Sequence, residues 1–287
     1  MTSSSSRPTR APRAFPLAAL GAFSALTLAA ALSAAGPAFA KDAQPAASKA
    51  DAAKPTIVLV HGAFADASSW NGVAGELRGK GYPVVAVANP LRSVSGDARY
   101  TASLLDKIAG PVVLVGHSYG GSVISAAAVG NTRVKALVYV SAFAPEQGES
   151  VVELAGKFPG GTLGEALAAP VPLPEGGVDL YIDQDKFRKQ FAADVKPDAA
   201  RLMAVGQRPV AEAALKEPSQ GTAWKDHPVY FVYGSADKNI PPAAMAWMAE
   251  RAHARRTVVI PNASHVAMVS HAHEVAALIE TAAKSAE

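Results

Sequence analysis

The stretch that decides the fold is Val112-Val113-Leu114-Val115-Gly116-His117-Ser118-Tyr119-Gly120-Gly121, followed by Ser122 to Val129. The run from Val112 to Val115 is continuously apolar and β-branched, as a strand buried on both faces reads. Ser122 to Val129 reads as a helix. Between them lies a G-x-S-x-G motif, and its position at a strand-to-helix junction gives it meaning. There the serine is forced into a strained turn, Gly116 and Gly120 leave room for the backbone, and the hydroxyl projects from the end of the sheet. The same turn aims the Tyr119 amide and the helix N-terminus at a reacting oxygen. An incidental serine in a glycine-rich turn is the competing reading, and the flanking strand and helix argue against it.

Working outward, the same alternation recurs. Apolar runs at Thr56 to Val60, Pro83 to Ala88, Pro111 to Val115, Val134 to Val140, Val229 to Tyr233 and Thr257 to Ile260 are rich in Val and Ile. Helical patterns sit between and after them at Ser69 to Lys80, Gly96 to Ile108, Tyr119 to Val129, Pro242 to Ala252 and His273 to Lys284. Buried strands alternating with helices predict an α/β fold with a mostly parallel, doubly wound sheet of about six strands. One connection breaks the rhythm: about 80 residues separate Ala144 from Lys225, with Pro- and Gly-rich turns and helical pieces at Leu180 to Ala192 and Asp198 to Val205. We expect a helical lid or cap over about 146–225, with Phe187, Phe191, Leu202 and Met203 buried in it.

A serine hydroxyl is a weak nucleophile at neutral pH and needs a base, itself oriented by an acid. For a serine on this kind of turn the partners follow in the order acid, then histidine, after later strands. Val229 to Tyr233 runs into Gly234-Ser235-Ala236-Asp237, and Thr257 to Ile260 runs into Pro261-Asn262-Ala263-Ser264-His265. Both candidates lie just past the C-terminal ends of parallel strands, where such sheets place their sites. Ser118, Asp237 and His265 are therefore the predicted catalytic residues. Asp183, Asp185 and Asp226 are less well placed as acids. His271 and His273 read as solvated helix-cap residues rather than a metal pair; His253 reads as surface, His227 as structural, and His117 as pointing away from the nucleophile.

Composition narrows the partners. The chain has 287 residues, 27 Lys plus Arg and 24 Asp plus Glu. Arg7, Arg10 and Arg13 stand in an acid-free N-terminal segment, so from Lys41 onward 24 bases face 24 acids. No basic excess remains to build a phosphate-binding face, which argues against nucleic acid. The absence of cysteine removes disulfides and thiol chemistry. The three arginines, the uncharged Ala- and Leu-rich stretch Ala14 to Ala40 and the small residues closing it have the layout of a secretory signal peptide over 1–40. We expect cleavage after Ala40, export to the periplasm or beyond, and no stable membrane insertion afterwards; an uncleaved anchor is the alternative. Residues 41–54 read as a flexible linker, leaving 55–287 as the folded domain.

The motifs VLVHGAFADASSW, VVLVGHSYGG, VYVSAFAP, YGSADKNIP and PNASHVAMVSH together resemble the α/β-hydrolase superfamily, in particular the branch of plant methyl-ester esterases, hydroxynitrile lyases and bacterial exported hydrolases. The resemblance runs from Pro55 to about Lys284. It implies that the loop after the first strand supplies a second oxyanion donor, so that the Ala63 and Tyr119 amides form the hole, while His61 is scaffold. Phe64 is expected at the substrate, with Trp70 either core or pocket wall. The lyases of that branch carry a threonine where this chain has Gly62 and a lysine where it has Val266. Their absence favours ester hydrolysis, and Ser118 argues against the Asp-nucleophile dehalogenases and epoxide hydrolases. The expectation is a serine carboxylesterase for small to medium hydrophobic esters, without cofactor or metal. The rival readings are a lyase, a cofactor-free perhydrolase, or a low-turnover binding protein on the same scaffold.

Overall fold

A computed structural model describes residues 54–286. The predicted signal segment, its cleavage point after Ala40 and the linker up to residue 53 lie outside the described residues. Among the described residues no helix is long and apolar enough to cross a membrane.

Six strands form one sheet: β1 (Thr56–Val60), β2 (Val84–Val87), β3 (Val112–His117), β4 (Val134–Val140), β5 (Val229–Gly234) and β6 (Arg256–Ile260). Their order is β2-β1-β3-β4-β5-β6, and every pairing is parallel. The central strands carry the run of β-branched residues because both of their faces are covered: Val112, Val113, Leu114 and Val115 have no exposed surface. The edge strand β6 departs from that expectation, with Val259 48% exposed, because an edge has one neighbour and less helical cover.

The chain enters at β1, steps outward to β2, then returns to β3 on the other side of β1. Right-handed crossovers put the helix of an outward step and the helices of the return on opposite faces. Accordingly α1 (Asn71–Gly79) packs with the last helix, α5 (Ala272–Lys284), and α2 (Val94–Leu105) packs with α3 (Gly120–Ala127). α4 (Pro242–Arg251) follows β5. The direction of winding reverses between β1 and β3, so a crevice opens at their carboxyl ends. The loops leaving those two ends are His61 to Phe64 and the turn at Ser118. The helix expected from Ser69 begins instead with a 3₁₀ turn, Ala67–Trp70, capped by the Asp66 carboxylate at 2.7 Å from the Ser68 N–H.

Between β4 and β5 the chain makes its long excursion. It contains a small antiparallel sheet (Val171–Pro172, Val178–Leu180, Val210–Ala211) and helices at Val151–Gly156, Gln184–Phe191, Pro197–Gly206 and Glu212–Lys216. Its two ends are tied together, since the Gly148 N–H donates to Ser219 O at 2.8 Å and the Ser219 N–H to Glu149 O at 2.9 Å. Arg251 of α4 grips both oxygens of Glu149 at 2.9 Å, a bidentate pair that anchors this neck to the body.

Two expectations for the insertion need correction. Leu180 ends a strand and does not begin a helix; the helix starts at Gln184, where the Asp183 side chain caps the Asp185 N–H at 2.9 Å. Phe187 and Phe191 are wholly buried as expected, but Leu202 is 75% exposed and Met203 only partly buried. Helix Pro197–Gly206 lays its Ala200 and Ala204 face against the fold, and Leu202, two residues from each, falls on the opposite side.

Candidate active site

Ser118 sits between β3 and α3 with φ of 53°, in the left-handed region that residues with a Cβ rarely occupy. Its conformation is held from three sides. The Ser118 N–H donates to Val140 O at 3.2 Å, and Ser118 O accepts from the Gly121 N–H at 2.9 Å and the Phe143 N–H at 3.2 Å. Close approach of α3 to the end of β4 demands glycine at 121, where a Cβ would lie 2.2 Å from Phe143 O. On the far side the Tyr119 hydroxyl donates to Asp97 Oδ2 at 2.9 Å, fastening the residue after the serine to α2. Burial pushes the Asp97 carboxyl above its ordinary range, and burial beside Asp97 pushes the Tyr119 phenol up as well.

His265 and Asp237 come together at the ends of β6 and β5. His265 Nδ1 lies 2.7 Å from Asp237 Oδ2, and both side chains are fully buried. Asp237 Oδ1 accepts from the backbone N–H groups of Asn239 at 2.8 Å and Ile240 at 3.0 Å. Three donors converge on one carboxylate, which fixes it and leaves Nδ1 as the protonated nitrogen of His265. The opposite nitrogen, Nε2, is buried and has no hydrogen-bond partner among the described residues, Ser118 included, so its lone pair is available as a base. The His265 backbone crosses the neighbour of Ser118: His117 Nε2 donates to His265 O at 3.2 Å.

Two amides next to the serine are also unused. The Ala63 and Tyr119 N–H groups donate to no backbone carbonyl among the described residues, whereas the Phe64 N–H is spent on Arg208 O at 3.0 Å. Ala63, Phe64, Ser118 and Tyr119 all line one cavity of about 340 Å³. The inserted segment closes it with apolar side chains, among them Val151, Leu163, Leu167 and Leu215. Glu212 and Lys216 also border it but satisfy each other at 2.9 Å. A serine and two free donors on the wall of an apolar cavity, with a buried imidazole–carboxylate pair in the same fold, are the groups that acyl transfer requires.

Trp70 is not part of that wall. It is wholly buried, absent from the cavity lining, and stacked edge-on against His117 with ring centroids 6.4 Å apart. His61 is scaffold: its Nε2 accepts from the Asn89 N–H at 3.1 Å, so Nδ1 carries the proton and donates to Gly62 O at 2.9 Å. Burial lowers the pKa of His61 to about 4 and that of His117 well below the usual range, so both remain neutral. His271 is less simply solvated than expected, since the insertion brings Asp194 Oδ2 to 3.3 Å from its Nε2. His273 is the exposed residue of that pair, 3.5 Å from Glu76. Of the rival acids, Asp183 and Asp185 sit at the start of an inserted helix, and Asp226 precedes β5 at the far end of the sheet.

Several contacts had no sequence signal. Phe191 packs on His265 with centroids 5.1 Å apart, and Asp194 accepts from the hydroxyl of Ser264, the residue before His265. The Tyr119–Asp97 bond joins residues 22 positions apart. Each depends on where the insertion or α2 folds back, which local pattern does not encode.

Comparison with known proteins places these residues in context. A family model described as "Alpha/beta hydrolase family" matches residues 57–278. The chain belongs to the alpha/beta hydrolase family. Within that family it is 28% identical over 254 residues to the alpha/beta hydrolase nvfD of Aspergillus novofumigatus, covering 81% of this chain and 98% of that protein. It is 33% identical over 110 residues to a carbendazim hydrolyzing esterase of Nocardioides, covering 34% of this chain and 46% of the relative. Among solved structures, polyneuridine aldehyde esterase superposes with a TM-score of 0.69 at 20% identity, covering 79% of this chain and 98% of that one. This structural likeness shows the alpha/beta hydrolase fold, and the six parallel strands are its sheet.

Proposed function

We propose that this hydrolase is a serine carboxylesterase acting on small to medium hydrophobic esters. The observation that carries the reading is Ser118, strained at φ 53° on the wall of an apolar cavity, alongside a buried His265–Asp237 pair at 2.7 Å. In the proposed reaction His265 Nε2 takes the Ser118 proton as Oγ attacks the ester carbonyl. The Ala63 and Tyr119 N–H groups receive the oxyanion, and Asp237 holds the imidazolium in place. Collapse expels the alcohol, which takes the proton back from Nε2. Water, deprotonated by the same nitrogen, then attacks the acyl-Ser118 carbonyl; the acid is released as the Ser118 Oγ leaves and takes the proton from Nε2. The cavity's apolar lining supports a hydrophobic substrate, and the esterase relative supports hydrolysis of an ester-type bond.

Gly62 favours hydrolysis over a lyase reaction needing a side-chain hydroxyl there, because a Cβ at 62 would stand 2.7 Å from Ser118 Cβ. Export with removal of residues 1–40 is part of the proposal and rests on the N-terminal sequence. Its check is the N-terminal residue of the protein recovered from the producing cells, expected to be Lys41.

The test of the chemistry is a fluorophosphonate probe followed by peptide mass mapping, together with turnover of short-chain p-nitrophenyl esters. The adduct should fall on Ser118, and Ser118→Ala should lose both adduct and hydrolysis while keeping the wild-type melting behaviour. An adduct elsewhere, or wild-type turnover in that variant, overturns the proposal.

A further inference from the structure

Among the polar side chains lining the apolar cavity beside Ser118, Glu212 and Lys216 pair with each other and the Tyr119 hydroxyl is held by Asp97, which leaves Asn239. Its residue is 5% exposed, it lies on the cavity wall, and its backbone already serves Asp237. Which way its amide faces follows from a chain of hydrogen bonds. Gln190, on the inserted helix Gln184–Phe191, approaches Lys238 O at 3.0 Å through Nε2. A carbonyl can only accept, so the nitrogen of Gln190 must face it. The Thr162 hydroxyl, donating to Gln190 Oε1 at 2.9 Å, agrees with that orientation. The same Gln190 Nε2 lies 2.8 Å from the side chain of Asn239, so the atom it meets there must be the oxygen, Oδ1.

With Oδ1 committed to Gln190, the Asn239 amide nitrogen is left over. Nδ2 makes no hydrogen bond among the described residues, and it is not one of the polar atoms sealed from solvent. We propose that Asn239 Nδ2 is a specificity donor, reading a hydrogen-bond acceptor such as an ether or carbonyl oxygen set along an otherwise hydrophobic substrate. The substrate class is then narrower than a plain alkyl ester: an apolar ester carrying a second oxygen within reach of Asn239. This inference rests on the cavity beside Ser118 being the substrate site, as the esterase reading has it. A buried donor left unsatisfied disfavours the all-carbon analogue, and a net hydrogen bond supplies the discrimination.

The experiment uses ligands that are not hydrolysed, so that it does not depend on turnover. Straight-chain ketones are titrated calorimetrically at pH 8 into Ser118→Ala protein, alongside analogues in which one methylene, scanned along the chain, is replaced by an ether oxygen. One ether position should bind about five- to tenfold more tightly than the all-carbon parent. Adding Asn239→Leu should bring that ratio to about one.

Gln190→Glu provides a second, sharper arm. A carboxylate at 190 can only accept, so Asn239 must turn its Nδ2 toward it and show Oδ1 to the cavity. The ether preference should then vanish, while the hydroxyl analogue at the same position, which can donate, keeps its affinity. The inference is overturned if no ether analogue outbinds its parent, or if the preference survives either substitution. Ester hydrolysis that proceeds through Ser118 without any ether preference defeats this inference alone. A preserved preference in a protein that hydrolyses no ester defeats the esterase reading alone.

Discussion

The Tyr119 hydroxyl donates to Asp97 Oδ2 at 2.9 Å in the interior, and so α2 holds the residue that follows Ser118. The bond is a positioning device, because Tyr119 would act at the reacting oxygen through its backbone and not its ring. Tyr119→Phe keeps the backbone amide but leaves Asp97 Oδ2 without its donor. The expected outcome is a stability loss of about 1–3 kcal/mol, measured by urea unfolding, with a smaller fall in kcat. Unchanged stability would show that the bond contributes nothing to the turn.

Asp237 accepts three hydrogen bonds, from His265 Nδ1 and from the Asn239 and Ile240 N–H groups. Asp237→Asn places an amide among three donors. Its own NH₂ must face a donor on one side, so His265 loses its fixed tautomer. Ester turnover should fall by roughly 10³- to 10⁴-fold with KM little altered. Steady-state kinetics on a p-nitrophenyl ester checks it, and a loss under tenfold would remove Asp237 from the proposed role.

Gly121 lies where α3 meets the end of β4, with only 2.2 Å between its would-be Cβ and Phe143 O. Backbone blocks the way on that side, so no side-chain rotation relieves Gly121→Ala. The helix must shift, and the Ser118 turn, bonded to both Gly121 and Phe143, must shift with it. The expected result is a destabilisation of about 1–3 kcal/mol and loss of ester turnover. Gly75→Ala, in helix α1 where nothing lies within 4 Å, is the control and should leave turnover unchanged while holding stability level or raising it by up to about 1 kcal/mol.

Acid should destabilise the protein through His61. Burial sets its pKa to about 4 in the folded chain, against 6.5 for the unperturbed imidazole. Between those values the unfolded chain binds a proton that the folded chain refuses, so stability is fully present above pH 6.5 and declines as pH falls toward 4. The difference corresponds to about 3 kcal/mol. His117, likewise lowered by burial, acts in the same direction. Denaturant titrations from pH 7.5 to 4.5 should show the decline. In His61→Asn the protein should be less stable at pH 7.5, yet its stability should fall less steeply with acid.

The fold was legible in the sequence because its signals are local. Strands such as Val112 to Val115 announce themselves by an apolar run that needs only the knowledge that both faces are covered. The turn at Ser118 announces itself by glycines that a tight backbone approach requires. Asp237 and His265 were also within reach of local reading, because each stands just past an identifiable strand and parallel sheets gather those ends. Other features depend on long-range packing. Leu202 reads as core by type but is exposed, because helix Pro197–Gly206 meets the fold through Ala200 and Ala204. Trp70 could have walled the pocket until the structure put it against His117. The link from Gln190 to Asn239 spans 49 positions and exists only because the inserted segment folds back over the end of β5. From the amino acids alone came the α/β class and the three candidate residues Ser118, Asp237 and His265. The tertiary structure decided that His265 and Asp237 meet, which amides stay free, and which polar atom on the cavity wall is left without a partner, since those depend on packing between segments distant in the chain.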